Sequence, residues 1–252
     1  MLKKAEGIVI RTVPYGEADV VLTLYTREAG KVAVMAKGAK KPKNRLAGAA
    51  QPFVYGIFLY YSSSGMSSLN QADIIKSYRH IREDLWKASY IAYAAELLDK
   101  LTNDRETNPF LFELFWQILE HVEEGDDAET LIRIFELKMT DAAGIKPQLD
   151  QCVNCGNKEG TFSFSIRGAG FLCHRCSHRD EYRMDISPKA IQLLRTFYYL
   201  DLKRLGSITL KPETKKELRQ VMDTYYEEYS GLYLRSKRFM EQMEKWNPVE
   251  DT

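Results

Sequence analysis

The stretch Ala18-Asp19-Val20-Val21-Leu22-Thr23-Leu24-Tyr25-Thr26-Arg27 decides how the first third of this chain folds. Val20, Leu22 and Leu24 fall on one side of an extended backbone, and Val21, Thr23, Tyr25 and Arg27 fall on the other. A two-residue period of this kind marks a strand with one buried face. The flanks repeat the pattern. Residues 7–13 are rich in β-branched side chains, and Pro14-Tyr15-Gly16 reads as the turn between the two strands. Ala29-Gly30 turns the chain into a third strand over 31–37, with Val32 and Val34 opposite Lys31, Ala33 and Lys37. Pro52 precedes an aromatic strand over 53–61, Ser62-Ser63-Ser64-Gly65 reads as a hairpin loop, and 69–78 reads as a fifth strand. Five short strands with regularly spaced turns predict a small closed barrel.

From Ile81 the period becomes helical. Trp86, Tyr90, Tyr93, Leu97 and Leu101 form one stripe. Asn108-Pro109 is a cap followed by proline at the first helical position, opening a helix with Phe112, Phe115, Leu119 and Val122 on one side. Leu131, Ile134, Phe135 and Met139 mark a third helix, closed near Gly144 and Pro147. Ser187-Pro188 and Lys211-Pro212 open two more, and a last helical run follows Gly231. There is no internal repeat and no low-complexity segment. The expected division is a barrel over residues 1–80 and a helical domain over 81–252, interrupted at about 148–184.

That interruption holds every cysteine in the chain, as Cys152-Val153-Asn154-Cys155 and Cys173-His174-Arg175-Cys176. Two residues between thiolates let one tight turn present both sulfurs to a single ion, and a second pair closes the tetrahedron. Gly156 supplies backbone freedom after the first turn, whereas Ser177 holds the matching place after the second. Two disulfides, or a redox pair beside a βαβ unit, are the competing readings. His174 or His178 could replace one cysteine. Four thiolates leave no open position, so the expected site is one structural zinc ion held by Cys152, Cys155, Cys173 and Cys176.

The chain has 252 residues, 44% hydrophobic and 28% charged, which fits one or two globular domains with a real core. Charge at Lys3, Lys4 and Glu6 argues against a signal peptide, and no apolar run approaches a membrane span, so the expected location is cytoplasmic. The net charge of +1 hides a strong asymmetry: residues 1–82 carry +8, 83–150 carry −10, and the remainder +3. Segregation of this kind points to a polyanionic partner for one region.

Residues 37–45 contain Lys37, Lys40, Lys41, Lys43 and Arg45 with no acid, and a Gly and a Pro that argue for a loop. Exposed loops of this composition neutralise phosphates; the alternative is a merely solvated, disordered loop. Arg11, Tyr25, Arg27, Lys31 and Lys37 are expected on the outside of the barrel. A barrel of the OB type pairs a basic groove with aromatic platforms, and Tyr25, Tyr60 and Tyr61 are candidates to stack on bases or to lie in the core. Catalytic signals are missing: the sequence has no phosphate-binding Gly-x-x-x-x-Gly-Lys-Ser/Thr, no His-Glu-x-x-His and no Gly-x-Ser-x-Gly. His80, His121, His174 and His178 are scattered, the acids of 106–129 read as a solvated helix face, and Glu96 and Asp99 have no visible partner. An enzyme is not expected. A zinc hydrolase would need an open coordination position.

Gly7-Ile8-Val9-Ile10-Arg11, Tyr15-Gly16-Glu17-Ala18-Asp19, Gly30-Lys31 and Ala36-Lys37-Gly38-Ala39-Lys40-Lys41-Pro42 together resemble the RecO family of bacterial recombination mediators. Gln51-Pro52-Phe53, Leu69-Asn70-Gln71-Ala72-Asp73 and Ala143-Gly144-Ile145-Lys146-Pro147-Gln148-Leu149 continue the likeness, while the C-terminal helices are generic. The resemblance implies an α+β protein: an N-terminal OB-fold β-barrel and a helical domain with an embedded zinc segment. It further implies binding of single- and double-stranded DNA, annealing of complementary strands, and work with RecR and single-stranded-DNA-binding protein to load RecA. Arg11, Arg27, Lys31, Lys37, Lys40, Lys41, Lys43 and Arg45 are the expected DNA contacts. The alternative is an RNA-binding OB protein with a structural zinc site, since composition does not separate RNA from DNA.

Overall fold

The computed structural model describes residues 1–63, 65–206 and 208–246, with only the backbone of 244–246; Ser64 of the expected hairpin loop lies outside these. The chain folds into two compact units, Met1–Glu124 together with the segment from Leu234, and Gly125–Tyr233.

The first unit is built on five strands, β1 (Leu2–Tyr15), β2 (Asp19–Thr26), β3 (Gly30–Ala36), β4 (Tyr55–Tyr61) and β5 (Ser67–Lys76). They close into a barrel in the order β1-β2-β3-β5-β4, an OB-like arrangement. β1 is twice the expected length, and that is how the barrel closes. Its first half pairs with β4 and its second half with β2, and the register shifts between Val9 and Arg11 where the strand bends. Ala5, Val9, Leu22, Leu24, Val34, Phe58, Tyr60 and Leu69 fill the interior. At Gly56 the strands come so close that a Cβ would lie 2.5 Å from the carbonyl oxygen of Asp73. The fourth strand starts two residues later than expected, because Phe53 adopts a left-handed backbone (φ 68°) and its amide bonds to Val9.

Four helices belong to this unit: α1 (Arg79–Glu83), α2 (Leu85–Leu101), α3 (Pro109–Glu124) and α7 (Arg235–Trp246). Asp84 caps α2 through the amides of Trp86 and Lys87, and Asn108 caps α3 through that of Leu111. Glu96 on α2 accepts the amides of Arg235 and Ser236 and so caps α7. The compact unit therefore reaches well past residue 80. Tyr25 on β2 stacks on Phe112 of α3 at 6.5 Å, and Tyr55 on β4 packs against Trp116 at 6.3 Å. Where α3 covers them, the outer side of the strands is thus a second core.

The second unit centres on α4 (Ala128–Ala142), buried on nearly every face and flanked by α5 (Pro188–Tyr199) and α6 (Pro212–Tyr229). Being buried all round, α4 must satisfy its own charges. Arg133 pairs with Glu136 at 2.8 Å and Asp223 at 3.4 Å, and Lys138 donates to the carbonyl of Tyr198 at 3.1 Å. Between α4 and α5 runs a hairpin of β6 (Phe162–Ser165) and β7 (Gly170–Cys173). Phe164 meets Tyr225 of α6 edge-on at 5.7 Å, and the Tyr229 hydroxyl donates to Ile166 at 2.7 Å, which seats the hairpin on the helices.

Candidate nucleic-acid interface and four-thiolate cluster

The basic segment 37–45 is ordered by its own sequence. Gly38 takes φ 68° and Lys43 φ 64°, and successive turns run from Lys41 to Gly38, from Asn44 to Lys41 and from Ala47 to Asn44. Asp19 accepts the Gly38 amide at 2.7 Å, and the Lys40 amide bonds to Ala18. Ala39 and Leu46 drop into the barrel core. The alternative of a disordered tether is thereby corrected: small apolar residues between the lysines nail the loop down. Lys37, Lys40, Lys41, Lys43 and Arg45 are all exposed. Lys40 reaches the carbonyl of Gly16 at 3.4 Å and Arg45 that of Asn70 at 2.9 Å. Among the described residues none of the five is paired with a carboxylate.

The other three expected contacts sit elsewhere. Arg27 forms ion pairs with Glu6 at 3.1 Å and Glu113 at 3.3 Å, with its guanidinium 4.5 Å from the centre of the Phe112 ring. Lys31, only 12% exposed, pairs with Asp99 at 3.1 Å and Asp104 at 3.6 Å. Arg11 is exposed but lies 3.4 Å from the same Asp99. Strand alternation does put these side chains outside the barrel. The expectation that the outside there is solvent is corrected at Tyr25 and Lys31, and in part at Arg27, because α2 and α3 cover them, while Arg11 stays exposed. The acids of α3 are likewise not a merely solvated face. Glu120 holds Lys76 at 2.5 Å and the Tyr78 hydroxyl at 2.5 Å, and Glu123 accepts the amide of Ile81 at 3.0 Å. Much of the charge asymmetry is internal neutralisation, which leaves the 37–45 loop as the densest group of unneutralised cations, with Lys3 and Lys4 also exposed.

Tyr25 and Tyr60 are buried and not available to a base, whereas Tyr61 is 52% exposed. Burial, helped by Glu106, pushes the Tyr25 phenol up to about 12.

In the second unit the sulfurs of Cys152, Cys155, Cys173 and Cys176 all lie within 4.8 Å of one another. The Cys155–Cys173 separation of 3.7 Å is the edge of a tetrahedron with bonds of about 2.3 Å, roughly 3.8 Å, and far from the ~2.05 Å of a disulfide. All four thiols are free. Each pair closes a tight turn, the Gly156 amide bonding to Cys152 and the Cys176 amide to Cys173. Gly156 has φ 71°, as its place after the turn suggested. Burial raises the Cys152 thiol, but the amides of Cys173, Cys155 and Asn154 outweigh it and bring it down to about 6. The Asn157 amide lowers Cys155, yet the neighbouring sulfurs drive it up to about 12. The two move apart because the sulfurs compete for protons, the Cys155 thiol being held protonated by hydrogen bonds to its sulfur neighbours. A cation among them removes that conflict, so the cluster can hold a metal ion. Asn154, unremarked in the sequence, donates to Cys176 Sγ at 3.2 Å. His174 and His178 stay outside the cluster. The Arg195 guanidinium lies 4.8 Å from the centre of the Phe162 ring and 5.1 Å from that of Phe171, both on the same hairpin.

These features define an α+β protein with an OB-like barrel bearing one basic loop, and helices carrying a four-thiolate cluster. Residues 1–78 match the model "Recombination protein O N terminal" and residues 82–238 match "Recombination protein O C terminal". The chain is 56% identical over 244 residues to the DNA repair protein RecO of Bacillus pumilus, covering 97% of this chain and 95% of that protein. It is 53% identical to that of Bacillus subtilis, covering 97% and 96%, and 46% identical to that of Listeria monocytogenes, with the same coverage. The chain belongs to the RecO family. Among the described residues no helix is long and apolar enough to cross a membrane.

Proposed function

We propose that this chain is a non-enzymatic recombination mediator that binds single- and double-stranded DNA through residues 37–45 and anneals complementary strands. The observation that supports it is the division of the barrel's cations. Arg27 and Lys31 are engaged by carboxylates, while Lys37, Lys40, Lys41, Lys43 and Arg45 are exposed on an ordered loop without one. A fixed array of cations lowers the repulsion between two phosphate backbones and releases condensed counterions as it does so. Strands held side by side on such a surface pair by their own bases, with no nucleotide turnover. Arg27 and Lys31 drop out of the proposed contact set, while Arg11, exposed beside Asp99, stays in it.

In this reading the four cysteines hold one zinc ion as scaffold, since thiolates of that number leave no open position. The work is done in the cytoplasm, at the nucleoid, with RecR and single-stranded-DNA-binding protein as partners and RecA loading as the outcome. The basic loop supports the DNA part alone; the partners follow from family membership. The test is a salt series of binding to single-stranded DNA, duplex DNA and RNA. The expected result is log K falling linearly with log salt for both DNA forms. Binding that favours RNA, or that ignores salt, overturns the proposal.

A further inference from the structure

The outer face of the barrel is covered at one end only. Tyr25 and Tyr55 lie under α3, but toward the start of β1 and the end of β4 the sheet is open. Leu2 stands directly opposite Tyr61, and Lys4 opposite Leu59, so the four side chains share one face. Leu2, Lys4 and Tyr61 are exposed there. On its other edge β4 meets β5, with Tyr61 opposite Ser68 and Leu59 opposite Gln71. The register shift between those pairs leaves Asn70 as the extra residue, and it is the Asn70 carbonyl that Arg45 of the basic loop grips at 2.9 Å. Arg105, also exposed, donates to the Ser63 carbonyl at 3.3 Å, two residues beyond Tyr61. The exposed ring is therefore bordered by Lys4, Arg45 and Arg105. The nearest strand carboxylates on this face, Glu6 and Asp73, both sit opposite Ile57, toward the covered end, and Glu6 is already held by Arg27 and Tyr55.

A lone exposed tyrosine is ordinary. What sets this one apart is continuity with the basic loop: β5 and β1 are two strand spacings apart, about 10 Å, with the ring between them. We infer that single-stranded nucleic acid leaving the loop crosses β5, β4 and β1 and stacks a base on Tyr61, with Lys4 and Arg105 on its phosphates. This rests on the DNA-binding reading of residues 37–45. The occupant is single-stranded because a base exposes its flat face only when it is out of a duplex stack. Aromatic side chains beside a cationic track are how sequence-tolerant single-strand sites are built.

The test measures binding of oligothymidylate and of a duplex of equal length by the full chain and by Tyr61→Ala and Tyr61→Phe. Tyr61→Ala should weaken oligothymidylate binding about ten-fold or more. Its duplex affinity and its salt slope should stay at wild type, since no phosphate contact is removed, and Tyr61→Phe should bind as wild type. A Tyr61→Ala protein that binds both DNAs as wild type does overturns this inference alone; if it has instead lost a protein partner, the face belongs to that partner. Equal loss on both DNAs overturns it too. A wild-type chain that binds neither DNA overturns both this inference and the reading beneath it.

Discussion

Lys31 on β3 closes the end of α2: its ammonium lies 2.6 Å from the carbonyl oxygen of Asp99 and 3.1 Å from the same residue's carboxylate. It also reaches the carbonyl of Thr102 at 2.9 Å. The last carbonyls of a helix lack amide partners and carry the negative end of its dipole, so a cation there satisfies both. Lys31→Ala should therefore lower stability by roughly 1–3 kcal/mol, the penalty for leaving part-buried acceptors unmet. DNA affinity and its salt slope should not change. Chemical denaturation together with a salt titration reads both, and a flattened slope in a fully folded protein would return Lys31 to the DNA surface.

Glu6 gives the barrel a dependence on acid. Burial raises its carboxyl, but the Tyr55 hydroxyl at 2.6 Å and the Arg27 guanidinium outweigh burial and carry it below its ordinary value of 4.5. A depressed carboxylate contributes stability that is whole above the unfolded value and is lost as pH falls through the folded one. The wild-type protein should lose this contribution as pH drops below about 4.5. Glu6→Gln should be less stable at neutral pH and show a shallower fall in acid. Parallel melting-temperature curves for the two proteins from neutral pH into acid would contradict the pairing.

The alternation of Val20, Leu22 and Leu24 was enough to place the inner face of β2, and the period change near Ile81 was enough to place the helices. The spacing of the cysteines placed the four-thiolate cluster. What alternation cannot say is what covers an outer face. Tyr25 and Arg27 read as exposed because their partners, Phe112 and Glu113, lie more than eighty residues away. Lys31 and Asp99 are separated by 68 positions, and neither carries a local signal of the other. Long-range ion pairs of this kind leave only a coarse trace, the opposite net charge of two regions, and that trace is equally what a polyanion-binding surface leaves.

For the thiolate cluster the expected outcome is separable from DNA binding. Cys173 is buried, its amide donates to Cys152 Sγ at 3.4 Å and its own sulfur lies 3.7 Å from that of Cys155, so it sits at the centre of the set. Cys173→Ser should release zinc and loosen the β6–β7 hairpin from Tyr225 and Tyr229. Zinc measured by atomic absorption should fall from one ion per chain towards none, while DNA affinity of the full chain holds. An unchanged zinc content would sink the assignment.

The basic loop yields the sharpest number. Lys40, Lys41 and Lys43 are exposed, and Ala39 and Leu46, not the lysines, hold the loop to the core. Replacing the three lysines with alanine should therefore leave stability within roughly 0.5 kcal/mol per site. If each contacts a phosphate of a duplex, the slope of log K against log salt should flatten by about 0.9 per lysine, near 2.7 in all. The loss should be the same for unrelated sequences, because phosphate contacts carry no base information. Annealing should slow with it, since the same cations screen the second strand. Arg27 and Lys31 serve as internal controls: they lie on the same barrel but are engaged by Glu6, Glu113 and Asp99. Parallel salt lines for the wild type and the triple variant, with both proteins folded, would mean that the DNA sits elsewhere on the molecule.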